Sequence, residues 1–165
     1  MTTAGGRLVV HQRLIDDRLF DTPDARLRTS GCALRVRTDG VAGALTFKGP
    51  VDPTQEVKAR EEIETTVGNA AVATAIVLAL GFHLAFRAQK RREEYELGAA
   101  HVVIDDTPMG VFVEIEALPE EIARVTRLLG LTVADYQLDS YVALWRRWCA
   151  RTGADPARML LSGAP

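Results

Sequence analysis

Alternation with a period of two constrains this chain more than any other feature. In ALRVRT, Leu34 and Val36 fall on one side and Arg35 and Arg37 on the other. ALTFKG sets Leu45 and Phe47 opposite Thr46 and Lys48. REEIETTV and VFVEIEAL each carry an E-x-E pair, Glu62 with Glu64 and Glu114 with Glu116, with Ile63, Val113 and Ile115 on the reverse. Residues two apart share one face of a β-strand, so each pair sets two like charges side by side. Such neighbours repel unless a cation sits between them or basic groups face them. QKRREEY supplies Lys90 and Arg92 at the same spacing.

For any single strand, the ordinary reading is the wet side of a half-buried sheet. Repetition argues against it. Arg35, Arg37, Lys48, Arg60, Lys90 and Arg92 stand with Glu62, Glu64, Asp105, Glu114 and Glu116, with few of the Thr, Ser, Gln and Asn usual on a solvated face. A sheet curled so that its charged face lines an interior uses such a set well, its apolar face being covered outside by helices. Mixed charges taken out of water must be paired or bound to a ligand. Guanidinium and ammonium groups hold phosphoryl oxygens, and clustered carboxylates hold Mg²⁺ or Mn²⁺.

The rest of the chain gives these segments an order. RLVVHQRLIDDRLFDTP reads as a strand ending in a turn, FHLAFRAQKRREEYEL as a second long strand, and HVVID as a short one joined to VFVEIE through DDTPMG. EVKAREEIETTV reads as one strand from Glu56. AAVATAIVLALGF predicts a buried helix from an N-cap at Asn69, ended by Gly81. Pro119 opens another helix. A last helix is predicted over DYQLDSYVALWRRWCA, where Leu138, Tyr141, Trp145 and Trp148 make one apolar face and the tryptophans enter the core. The fold class is α+β with an antiparallel sheet. Residues 1–150 are expected to form one domain and 151–165 a loosely ordered tail.

Several functions are excluded or disfavoured. A net charge of −2 lacks the basic excess of a general nucleic-acid binder. Cys32 and Cys149 make neither a C-x-x-C nor a disulfide framework, which points to a reduced cytoplasmic setting. No signal peptide opens the chain, and its most apolar stretch is too short to span a bilayer. His11, His83 and His101 form no metal-binding spacing, GGRL is no Walker loop, and no serine lies in a nucleophile elbow.

FDTPDARL, ALRVRT, LTFKGP, REEIE, QKRREEY, VVIDDTPMG, FVEIE and DSYVALW occur in the order of the CYTH family, the triphosphate tunnel metalloenzymes, which the chain resembles over roughly residues 7 to 150. The resemblance implies an eight-stranded antiparallel barrel around a charged tunnel, with helices outside. Arg35, Arg37, Lys48, Arg60, Lys90 and Arg92 match the family's triphosphate-holding bases, with Lys90 and Arg92 expected in catalysis. Glu62, Glu64, Asp105, Glu114 and Glu116 match its acidic residues, several of which ligate Mg²⁺ or Mn²⁺; Glu114 and Glu116 with Glu62 or Glu64 are the favoured ligands.

One departure is large. The family's first strand carries E-x-E-x-K, and here no glutamate precedes Glu56. A start placed too late, an inactive relative, or a strand supplied by another chain would each account for it. The barrel is then expected to be incomplete, with two unpaired edges that favour association and leave a homodimer open. The expected activity is metal-dependent hydrolysis of inorganic, thiamine or nucleoside triphosphate. Class IV adenylate cyclase-like formation of cyclic AMP and non-catalytic binding of nucleotide or polyphosphate are the alternatives. No nucleic acid or membrane partner is expected.

Overall fold

The computed structural model describes residues 1, 4–40, 42–51 and 60–162. Its eight strands are β1 (Arg7–Asp21), β2 (Ala33–Thr38), β3 (Gly43–Lys48), β4 (Glu62–Val67), β5 (His83–Leu97), β6 (Ala100–Thr107), β7 (Gly110–Glu116) and β8 (Arg158–Met159). The helices are α1 (Arg26–Thr29), α2 (Ala70–Ala79), α3 (Pro119–Leu128) and α4 (Tyr141–Thr152). One sheet runs in the order β4-β3-β2-β1-β5-β6-β7, and β8 adds on β5. The seven longer strands pair antiparallel, whereas β8 lies parallel to β5. β4 and β7 end the path without joining, so the sheet is not closed among the described residues.

Register carries the alternation across the whole sheet. Asp17 pairs with Arg37 and with Ala88, Arg35 with Thr46, and Thr46 with Glu64. Arg92 pairs with Asp105, and Val103 with Glu114. Directly paired residues point to one face, so these charged positions share a side, while Asp16 with Arg87 and Arg91 with Asp106 fall on the other. On the other side α2 packs its Ala73 and Val77 against Phe20 and Val36, and Val125 of α3 packs against Tyr95, Leu97 and Val102. Gly43 allows the approach of α2, because a Cβ there would stand 2.8 Å from a Val67 methyl and 3.1 Å from Ala70.

Four local expectations are corrected. The helix after Asn69 is capped as expected, Asn69 Oδ1 accepting from the amides of Ala71 and Val72, and Gly81 ends it with φ +91°. It is not a buried helix: Val72, Ile76 and Leu80 are 54%, 55% and 71% exposed. Lying on a sheet, a helix covers one stripe only, and no described element covers its back.

The last helix starts at Tyr141, not Asp135. Thr132 and Asp135 close a capping box around a single 3₁₀ turn, Tyr136 then turns extended, and Ser140 caps the helix proper through the Ala143 amide. Leu138 is therefore outside the apolar stripe and 62% exposed. α4 also packs on the charged side of the sheet rather than outside, its buried Trp145 and Cys149 meeting Phe86, Ala88 and Met159, with Trp148 half-buried beside them. The tail is ordered where it fills the edge of β5 below β6: Arg158 and Met159 pair with Arg87 and Ala88, and Met159 is fully buried. Glu56–Ala59 of the long strand predicted from Glu56 lie outside the described residues; the described strand begins at Glu62.

Candidate functional site

The charged face lines one groove of ≈ 1390 Å³. Arg35, Arg37, Lys48, Arg60, Lys90, Arg92, Glu62, Glu64, Glu114 and Glu116 all reach it. Asp105 sits behind the wall, with no exposed surface. The strands bring every base within reach of a carboxylate.

In the floor of the groove the pairs are buried and multiply bonded. Arg37 donates from Nε and Nη2 to the two oxygens of Asp17 at 2.7 and 2.9 Å. Asp105 accepts from Lys90 Nζ at 2.7 Å, from Arg92 Nε and Nη2 at 2.7 and 2.6 Å, and from the Tyr141 hydroxyl at 2.8 Å. The Tyr141 ring centroid lies 4.6 Å from Lys90 Nζ, and the ring meets Phe112 edge-on. Burial by itself would raise both aspartates. The Arg37 hydrogen bond and the charges of Arg37, Arg35 and Lys90 outweigh it at Asp17, whose pKa is lowered. At Asp105 the Arg92 hydrogen bond and the Lys90 charge bring the carboxyl down to about 2. Burial drives Lys90 below the ordinary lysine range despite Glu114 and Asp105, and pushes the Tyr141 hydroxyl up.

Towards the sheet edges the pairs are more exposed on their carboxylate side. Lys48 Nζ donates to Glu62 at 2.6 Å, and Arg60 Nε lies 3.6 Å from the same oxygen. Arg35 Nη2 reaches Thr46 Oγ1 at 3.1 Å and Glu64 at 3.4 Å, and Thr46 also donates to Glu64 at 2.6 Å. Arg92 Nη2 donates to Glu114 at 2.7 Å. Among the described residues buried Arg35 Nε has no hydrogen-bond partner, and Asp17 Oδ1 stands 3.8 Å from it. An unpartnered buried N–H on a cation is costly and marks a place for an anionic oxygen.

Sequence reasoning missed Asp17, Tyr141 and a small cluster at one end of the groove. Asp17 follows another aspartate and shares its strand face with apolar Ile15 and Leu19, so nothing local marks that face as the charged one. Tyr141 reads as one more apolar-stripe residue. His101, which forms no metal-binding spacing in the sequence, holds its ring nitrogens 3.1 Å from Glu94 and 3.7 Å from Glu116. Arg13 joins Glu94 at 2.7 Å.

The donor chemistry suits a hard divalent cation, whereas the arrangement is not a protein cage for one. Among the described residues no three His, Cys, Asp or Glu side chains converge as a metal would require. Glu62 and Glu64 share a strand at one edge, and Glu114 and Glu116 at the other. That suits Mg²⁺ completed by substrate phosphates, which needs only one or two carboxylates.

Solved structures share this architecture. The PH1012 protein of Pyrococcus horikoshii OT3 is 25% identical, with a TM-score of 0.73, covering 87% of this chain and 88% of that one. A candidate adenylate cyclase from Vibrio parahaemolyticus is 19% identical at a TM-score of 0.75, covering 86% and 84%. A candidate adenylyl cyclase from Hippeastrum, described as having a dominant triphosphatase activity, is 16% identical at a TM-score of 0.61, covering 94% and 87%. No curated protein matches the sequence. Residues 6–133, from the start of β1 through α3, match the CYTH domain, and with the inward-facing charges already in view the chain belongs to the CYTH domain family.

Proposed function

We propose that the groove binds a triphosphate and hydrolyses it. The observation that carries this reading is the single wall holding Arg35, Arg37, Lys48, Arg60, Lys90 and Arg92, with Arg35 Nε unpartnered on it. Six cations at strand spacing offer more donors than one phosphate can use, and a chain of three phosphoryl groups matches them. The bases would fix the phosphate oxygens and offset the charge that builds on them as water attacks in line. The water oxygen bonds to the terminal phosphorus, the bridging P–O bond breaks, and the remaining diphosphate leaves with the electron pair, the water proton passing to the phosphate oxygens released. Lys90 and Arg92 sit deepest and are held by Asp105, so they are the proposed catalytic pair. Mg²⁺ or Mn²⁺ is the proposed companion of the substrate, with Glu62, Glu64, Glu114 and Glu116 as its candidate ligands, since Asp105 is fully buried and taken up by Lys90, Arg92 and Tyr141; when bound it would neutralise phosphoryl charge.

Cyclisation of ATP to cyclic AMP is the second reading, supported by the fold shared with the Vibrio protein. Non-catalytic binding is the third, supported by the unclosed sheet. Product analysis separates them. With tripolyphosphate, thiamine triphosphate or ATP and Mg²⁺ or Mn²⁺, hydrolysis releases orthophosphate, cyclisation releases pyrophosphate with cyclic AMP, and a binder releases neither. Arg35→Ala is expected to weaken tripolyphosphate binding at least about tenfold, as loss of a charge-assisted contact does, while the exposed Arg147→Ala changes it little. Equal losses in both would sink the groove as the site.

A further inference from the structure

Carboxylates on the groove wall fall into two kinds that follow strand position, with one exception, Glu94 on interior β5, which is held by Arg13 and has a side chain 16% exposed. Aspartates occupy the interior strands: Asp17 on β1 is 7% exposed and Asp105 on β6 is fully buried. Glutamates occupy the edge strands: the side chains of Glu62, Glu64 and Glu114 are 43%, 52% and 35% exposed. Each of those three nevertheless meets a base whose own side chain is largely buried, namely Lys48, Arg35 and Arg92 at 18%, 14% and 9%. The short aspartates are pinned by two or more donors, whereas a glutamate's extra methylene and its edge position leave it free to swing into water.

Resting on the triphosphate reading above, we infer that Glu62, Glu64 and Glu114 are exchangeable counter-ions that occupy the phosphate-binding bases when no substrate is present and leave them when triphosphate enters. Asp17 and Asp105 stay in place and keep Arg37, Lys90 and Arg92 aimed. The wall is therefore self-neutralised at rest, which avoids burying unpaired cations, and the cost is that a triphosphate must displace three carboxylates. These glutamates set affinity by competition, apart from any ligation of metal. Glu116 provides the internal comparison. It lies on the same face of β7, carries the same charge and has a side chain 69% exposed, but the group facing it is His101 at 3.7 Å, and among the described residues no lysine or arginine pairs with it.

The test is calorimetric binding of inorganic tripolyphosphate in EDTA, so that metal ligation by the same glutamates does not enter. Glu62→Gln, Glu64→Gln and Glu114→Gln are each expected to bind about threefold to fivefold tighter than the unaltered chain, the scale of a partly exposed ion pair. Glu116→Gln, with the same change of charge on the same strand face, is expected to stay within about twofold in EDTA, since this carboxylate faces His101 and has no buried base to release. Thermal melting confirms that each variant is folded, and the positions' exposure makes this the expected result. If the unaltered chain binds but the three variants bind no more tightly, or if Glu116→Gln tightens equally, the counter-ion role is overturned and the triphosphate reading stands. If none of the proteins binds, in EDTA or with Mg²⁺, both fall together.

Discussion

Arg37 grips Asp17 with two parallel hydrogen bonds, although the residues lie on neighbouring strands twenty positions apart in sequence. The pair faces directly across the β1–β2 ladder, so sheet register rather than local sequence makes the contact. A fork of this kind fixes a guanidinium plane more firmly than a single ion pair does. Arg35, two residues away on β2, keeps a buried Nε without a hydrogen-bond partner among the described residues, as Arg13 does on β1. One arginine is thus a fixture of the wall and its neighbour is available to ligand.

Removing Asp105 is expected to be more damaging than removing any glutamate of the site. Asp105→Asn leaves Lys90 and Arg92 buried with only Glu114 between them, and loss of one partner from a buried ionic cluster costs about 3–5 kcal/mol. Glu116→Gln is expected to stay within about 0.5 kcal/mol, as an exposed position does. Urea denaturation of the two variants measures the contrast. A mild effect of Asp105→Asn would mean that the cluster is not buried as described.

Acid sensitivity follows from the same carboxyl. Its pKa is lowered to about 2 from an ordinary value of 3.8, so the unfolded chain binds this proton more readily than the folded one. The stabilisation is fully present above the unfolded value and disappears as pH falls through the folded one. Stability is therefore expected to fall between about pH 4 and pH 2, with Asp17, also lowered, acting in the same direction. In a denaturation series over that range Asp105→Asn should show a shallower fall than the unaltered chain. An equal slope would remove Asp105 from the cause.

Tyr141→Phe separates the hydroxyl from the ring. The ring stays beside Lys90 and against Phe112, while the donor to buried Asp105 is lost. A hydrogen bond to a charged group contributes about 1.5–3 kcal/mol, and a loss of that order is expected in urea denaturation. Unchanged stability would show that water replaces the hydroxyl, and that α4 does not seal this end of the groove.

Met159→Ala tests whether the C-terminal strand is part of the fold. Met159 is fully buried among Phe86, Ala88, Trp145 and Cys149, and truncating such a side chain costs about 2–5 kcal/mol. A lower melting temperature with loss of near-ultraviolet tryptophan signal is expected, because Trp145 sits in the same cluster. A silent substitution would place the tail off the sheet.

Strand number, face and order were largely legible because alternation is a local property. Leu34 and Val36 against Arg35 and Arg37 admits one face assignment, and the register confirms it. The helix limits were less legible. Asp135 to Ser140 continues a helical apolar pattern on paper, but Thr132, Asp135 and Ser140 offer their side chains to backbone amides and divide the segment. Exposure of Val72, Ile76 and Leu80 was not legible either, since an uncharged helix reads as buried until the sheet beneath it is seen to cover one side only.

By itself the sequence determined that bases and acids share one face of an antiparallel sheet, because side chains two apart on a strand cannot point anywhere else. Tertiary structure alone decided which base meets which acid: Arg37 with Asp17, Lys90 and Arg92 with Asp105, Lys48 with Glu62. Those choices depend on strand order, on register and on the arrival of α4 from the far end of the chain. Each is a long-range relation for which neighbouring residues carry no signal.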